Sequence, residues 1–218
     1  MKTAILFDLD GTLLDTLQDL TDATNHTLRH FGRAEKTAAQ MRYIIGSGAY
    51  FQLRTAMDDD PGDLDMEEVY AFYRAYYDAH ATDKTRPYPG VAEALKELSK
   101  TYAVGIVSNK PHPVVAELAA RFFPGIYALG EQAQLRPRKP QPQMVQKALS
   151  DLGADRCVYV GDTEIDVATA QNVNAPCLCV LWGFRDKHQL EAVGAQHFCA
   201  DPADLPHIIK TLSEESHG

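Results

Sequence analysis

The chain has 218 residues, 45% hydrophobic and 23% charged, proportions that suit one sizeable soluble core plus a small accessory domain. Its net charge of −9 argues against a nucleic-acid partner, so an anionic ligand must be drawn in by local cations or a metal. Ala4 to Phe7 is too short for a signal-peptide core and no apolar run can span a bilayer, so a cytoplasmic location away from membranes is expected.

The first element is an apolar strand ending in Phe7, followed by Asp8-Leu9-Asp10-Gly11-Thr12. Two carboxylates this close repel, and they favour a cation or a shared proton. Residues 15–83 then depart from strand character. Leu17, Leu20, Thr24, Leu28 and Phe31 form one helical face, and Val69, Phe72, Tyr73, Tyr76 and Tyr77 lie on a second helix, 66–81. Gly46-Ser47-Gly48 and a turn-rich stretch, Asp58 to Asp63, lie between them. The segment reads as a helical cap, 15–83, inserted into a core made of 1–14 and 84–218.

From residue 89 onward strands and helices alternate. Strands are expected at 102–108, 126–129, 157–161 and 177–181, with helices from Val91, Pro111, Pro142 and Glu164. Repeated βα units imply an α/β fold, a doubly wound, Rossmann-like parallel sheet with helices on both faces. Residues 213–218 read as a frayed tail. The four cysteines read as small buried hydrophobes in a reducing compartment.

In open parallel sheets, sites form at the carboxyl ends of strands. Four such ends here carry Asp8 and Asp10 with Thr12; Ser108, Asn109 and Lys110; the basic stretch Arg136-Pro137-Arg138-Lys139; and Asp162 with Asp166 one helical turn later. So many carboxylates call for a hard divalent cation, and Mg²⁺ suits an oxygen-rich site that keeps waters. Ser108 and backbone amides can hold phosphoryl oxygens, and Lys139 can neutralise both phosphate and an attacking carboxylate.

Asp8 to Thr12, Ser108-Asn109, Lys139-Pro140 and Gly161 to Asp166 together resemble the four motifs of the haloacid dehalogenase-like hydrolases. Within that superfamily, Ser108-Asn109-Lys110, Lys139-Pro140-Gln141-Pro142, Trp182-Gly183 and Gly46-Ser47-Gly48 are similar to the phosphoglycolate phosphatase branch, with a small helical cap. The resemblance implies that Asp8 is a nucleophile forming an aspartyl-phosphate, with Asp10 as acid and then base. It also implies Mg²⁺ on the Asp8 carboxylate, the Asp10 backbone carbonyl and Asp162, with Asp166 orienting Lys139 or metal-bound water. Thr12 would fix the turn and Asp10, and Gly46, Ser47 and Gly48 would contact substrate.

The expected reaction is hydrolysis of a small phosphorylated metabolite by a monomer or homodimer. Sugar-phosphate mutase, pyrophosphatase and nucleotidase remain as alternatives within the superfamily. A phospho-receiver or a non-catalytic binding protein is the alternative from another class. Arg42, Arg54, Lys110 and His112 are weighed as leaving-group contacts, with surface solvation the preferred reading for each.

Overall fold

The structure, a computed structural model, describes residues 2–132 and 138–215. In chain order, β1 (Thr3–Phe7) and β2 (Leu14–Asp15) precede four helices, α1 (Leu17–His30), α2 (Ala38–Ile44), α3 (Ala49–Ala56) and α4 (Met66–His80). Then follow β3 (Arg86–Pro87), α5 (Val91–Leu98), β4 (Ala103–Pro111), α6 (His112–Phe122), β5 (Tyr127–Glu131), α7 (Gln143–Leu152) and β6 (Arg156–Gly161). The chain finishes with α8 (Glu164–Asn172), β7 (Cys177–Val180), α9 (Lys187–Ala192), β8 (His197–Cys199) and α10 (Leu205–Glu215). It divides into two compact units, Met1–Leu14 with Pro87–Gly218, and Asp15–Arg86.

The first unit is built on a six-stranded parallel sheet in the order β5-β4-β1-β6-β7-β8. Its central strands are apolar runs buried on both faces, as parallel strands under helices must be; Ala4, Ile5, Leu6 and Phe7 are fully buried. From β1 the chain moves outward through β4 and β5, then returns to β6 on the other side of β1. Strand order therefore reverses at β1, and the crevice beyond its carboxyl end lies between β4 and β6.

In the second unit, α1 buries Leu20, Thr24 and Leu28, and α4 buries Val69, Tyr73 and Tyr77. Tyr73 and Tyr77 are core residues. Phe72 and Tyr76 are half-buried instead and stack on His26, with centroids 5.3 and 4.0 Å away. Asp19, buried on α1, accepts bonds from the Lys84 and Thr85 amides and from the Thr85 hydroxyl, 2.8–3.0 Å long. Those four bonds tie the end of the segment back to its first helix.

Two expectations need correction. The segment between α1 and α4 holds two further helices, α2 and α3. They are only seven and eight residues long, and Gly48, which precedes α3, offers no side-chain cap, so neither carries a strong periodic signal. The expected fray from residue 213 begins too early. Ser213 is helical and buried, and its hydroxyl lies 2.9 Å from that of Tyr102; Ser216 to Gly218 lie outside the described residues. Among the described residues no helix is long and apolar enough to cross a membrane.

Candidate active site

The turn after β1 sets the site. The Leu9 carbonyl accepts from the amides of Thr12, Leu13 and Leu14, and the Gly11 amide donates to Leu14. Asp8 is thereby left at the strand end, its own amide bonded to Val160 of β6 at 2.9 Å. Asp162 follows β6, and Asp166 lies in the first turn of α8. Carboxylate oxygens of Asp8, Asp162 and Asp166 all lie within 4.8 Å of one another, and all three residues are buried.

Lys139 meets this cluster fully buried. Its ammonium lies 3.0 Å from Asp8 Oδ1 and 3.0 Å from Asp166 Oδ1, and donates to the Tyr159 hydroxyl at 2.8 Å. Tyr159 in turn donates a hydrogen bond from its hydroxyl to the Val107 carbonyl at 3.1 Å. Of the three N–H donors of Lys139, two go to Asp166 and Tyr159, and Asp8 is held as an ion pair. The segment before Lys139 includes Arg136 and Pro137, which lie outside the described residues.

Asp166 combines a local and a long-range role. Its Oδ2 accepts from the amides of Asp162 and Thr163 and from the Thr163 hydroxyl, while Oδ1 faces Lys139. With both oxygens engaged, it orients the lysine and the turn that carries Asp162. Asp162 accepts from Thr12 Oγ1 at 2.8 Å and from the Phe184 amide at 2.7 Å. The Thr12 hydroxyl thus orients Asp162, where the sequence reading had it fixing Asp10. That partner is 150 residues away in sequence, which no local pattern reveals.

The electrostatics follow from the packing. Burial pushes the Asp8 carboxyl up to about 7 against the pull of Lys139, and the Asp166 and Asp10 charges add to the rise. Asp162 is raised well above the usual carboxylate range by burial and by the Asp166 and Asp8 charges. Burial alone would lower Lys139, but the Asp166 and Asp8 carboxylates hold it well above its ordinary value. Fully ionised, the three carboxylates would outnumber the one ammonium by two charges, which is the repulsion that raises Asp8 and Asp162. A hard dication with oxygen ligands offsets that repulsion, so the donor set fits Mg²⁺.

On β4, the pairing with β5 shifts register between Val107 and Pro111, so the strand runs on past Ser108. Such irregularities re-aim side chains. Ser108 and Asn109 are buried there; Ser108 Oγ accepts from the Lys110 amide at 3.3 Å and Asn109 Nδ2 donates to the Lys139 carbonyl at 3.0 Å. Lys110 is not the solvated surface residue expected. Its side chain is 3% exposed, and Nζ lies 2.6 Å from Asp10 Oδ1. His112 accepts from the Gly130 amide through Nδ1 at 3.2 Å.

Asp8, Asp10, Thr12, Ser108, Asn109, Lys139, Asp162 and Asp166 therefore all belong to the sheet unit. Gly46, Ser47 and Gly48 belong to the helical unit, between α2 and α3. Arg54 is engaged there with Asp59 at 3.6 Å.

Sequence reasoning missed Tyr159, although a lone hydroxyl inside the apolar run Cys157 to Gly161 was a usable signal, because a buried tyrosine needs a partner. For the loop after β7, Trp182-Gly183 entered only through the resemblance, and its contacts were not foreseen. There Trp182 Nε1 donates to the Thr12 carbonyl at 3.0 Å, and Arg185 grips Glu164 through two 2.8 Å bonds.

A family profile described as haloacid dehalogenase-like hydrolase matches residues 5–180. The chain belongs to the haloacid dehalogenase-like hydrolases. It is 34% identical over 217 residues to a phosphoglycolate phosphatase of Rhodobacter capsulatus, covering 96% of this chain and 98% of that one. A phosphoglycolate phosphatase of Mesorhizobium japonicum is 33% identical over 87% of each chain. Among solved structures, a candidate phosphoglycolate phosphatase from Lactobacillus delbrueckii subsp. bulgaricus superposes with a TM-score of 0.88 at 33% identity. That match covers 95% of this chain and 98% of the other.

Within this member of the family, Gly11 and Gly183 leave the space Asp162 occupies. Gly11 has φ of +82°, and a Cβ there would sit 2.3 Å from Asp162 Oδ2. At Gly183 a Cβ would sit 2.4 Å from Asp162 Cβ and Oδ2, and 2.5 Å from the Gly11 carbonyl. Gly183→Ala is therefore expected to displace Asp162 and raise the Mg²⁺ concentration for half-maximal activity about 10- to 100-fold. Metal titration of activity, with circular dichroism confirming the fold, checks this; an unchanged Mg²⁺ requirement would contradict the packing argument.

Proposed function

We propose that this chain is a Mg²⁺-dependent phosphomonoesterase that hydrolyses phosphoglycolate through an aspartyl-phosphate on Asp8. The observation that carries the reading is the Lys139 ammonium bound between Asp8 and Asp166 beside Asp162. The named activity of relatives at 33–34% identity over most of the chain supports the substrate.

Each residue then has a task. Asp8, at the strand end, attacks phosphorus, and Lys139 offsets charge on both the carboxylate and the phosphoryl oxygens. Ser108 and neighbouring amides hold those oxygens. Asp10, two residues on, protonates the ester oxygen as it leaves, then takes a proton from the water that cleaves the acyl phosphate. Asp166, through its four contacts, keeps Lys139 and the Asp162 turn in place. Bound Mg²⁺, held by the Asp8 and Asp162 carboxylates with the Asp10 carbonyl, would supply charge neutralisation at the phosphoryl group.

A panel of phosphorylated metabolites, assayed for phosphate release in Mg²⁺, tests this directly. Phosphoglycolate is expected to give the highest kcat/KM. A sugar bisphosphate or nucleotide ranked clearly above it would reject the substrate. Isomerisation without phosphate release would reject hydrolysis.

A further inference from the structure

We propose that the thiols of Cys177 and Cys179 form a binding site for a soft monovalent cation, Cu(I), and that filling it inhibits the enzyme. The binding stands apart from the reaction assigned above; the inhibition rests on Lys139 and Asp166 acting in that reaction.

The two cysteines are two residues apart on β7, so their side chains leave the same face of the strand, and their sulfurs lie 3.9 Å apart. Cys179 is fully buried, whereas Cys177 is half-buried and borders a cavity of about 210 Å³ lined also by Val167, Ala170, Pro176 and Ala195. An ion therefore has an approach to the pair. With metal–sulfur bonds of about 2.3 Å, two sulfurs that share an ion lie at most about 4.6 Å apart, so the observed spacing accepts one with little movement. Among the described residues, the one cluster of three His, Cys, Asp or Glu ligands is Asp8, Asp162 and Asp166, so the thiols gain no third such partner. Two soft ligands alone suit Cu(I), which is stable as a two-coordinate dithiolate, and not Zn²⁺, which takes four. Mg²⁺, a hard cation, does not compete for sulfur.

The pair lies behind Lys139. In the β6–β7 register Cys177 stands beside Tyr159, whose hydroxyl accepts from Lys139, and Cys179 stands beside Gly161. The space over Gly161 is filled by Asp166: a Cβ at Gly161 would sit 2.3 Å from Asp166 Cβ and Cγ. Both thiols thus share a sheet face with the contacts that hold Lys139, and Val167 and Ala170 of α8 pack on that face. The Cys179 thiol, and then burial, hold the Cys177 thiol well above its ordinary value, so without a metal it is a poor nucleophile toward oxidants and alkylating reagents. A soft cation overrides this, because a coordinating thiol gives up its proton outright. One Cu(I) and two thiols yield a dithiolate complex with one negative charge and release two protons. That charge adds to the Asp8 and Asp166 carboxylates that Lys139 must balance, and the ion presses on the space where Asp166 sits.

The test uses the Mg²⁺-loaded enzyme under anaerobic, reducing conditions, with Cu(I) supplied as its bicinchoninate complex, whose colour reports transfer of the metal. The parent is expected to take one Cu(I) per chain, and Cys177→Ala to bind it at least about 100-fold more weakly, the scale of losing one of two linked contacts. Cys179→Ala should lose affinity likewise and serves where Cys177→Ala fails to fold. Cys199→Ala should bind as the parent does, because Cys199 pairs with Val180 and so faces the other side of the sheet. A parent that leaves all the Cu(I) with bicinchoninate, or cysteine variants at 177 and 179 that bind as tightly as the parent, would overturn the site. Turnover of an aryl phosphate by the copper-loaded parent should fall at least about 10-fold and recover when excess bicinchoninate removes the metal. Cys177→Ala should keep its turnover through the same treatment. Binding with undiminished turnover would uphold the site and overturn the inhibition. A parent with no phosphatase activity at all would reject the reaction assigned above, and with it the inhibition, while the copper titration still decides the site.

Discussion

Asp8→Asn is expected to lower kcat at least about 1,000-fold without loss of the fold. An amide is nearly isosteric with the carboxylate and can still accept from Lys139, but it is a very poor nucleophile. The structure also predicts the direction of the stability change. Asp8 sits buried against the Asp166 and Asp10 charges, and burial raises its carboxyl to about 7. Removing that charge relieves repulsion, so without Mg²⁺ the melting temperature should hold or rise. Steady-state kinetics on a revertant-free preparation, with a thermal melt, measure both effects. Substantial turnover would remove Asp8 from the nucleophile's role, and a collapsed melt would contradict the electrostatic account.

Withdrawal of Mg²⁺ is the second large effect. With three carboxylates facing one ammonium, chelation should cut activity at least about 100-fold, and added Mg²⁺ should restore it. Ca²⁺ should inhibit, because its looser and higher coordination misplaces the attacking carboxylate. Activity titrated against chelator and metal decides the point; full turnover in excess chelator would contradict it.

The parallel sheet was legible because its strands are apolar runs alternating with amphipathic helices, a pattern local in sequence. Asp8, Ser108, Lys139 and Asp162 were legible because each lies at or beyond the carboxyl end that the apolar run marks for its strand. What escaped was nonlocal or short. The Thr12 hydroxyl finds Asp162, Tyr159 finds Lys139, and the Phe184 amide finds Asp162, all through packing between strands distant in sequence. Lys110 was misread for a related reason. A lysine beside a proline reads as a loop residue, whereas the shifted β4–β5 pairing carries the strand on to Pro111 and buries it. The short strand β8 and the short helix α9 gave too few residues for periodicity to register.

The central claim is a covalent phosphoryl group on Asp8, and chemical trapping tests it most directly. Enzyme quenched during turnover of phosphoglycolate and reduced with borohydride should carry homoserine at position 8, found by peptide mass spectrometry. Full turnover with position 8 unmodified, or with the modification on another carboxylate, would contradict the account.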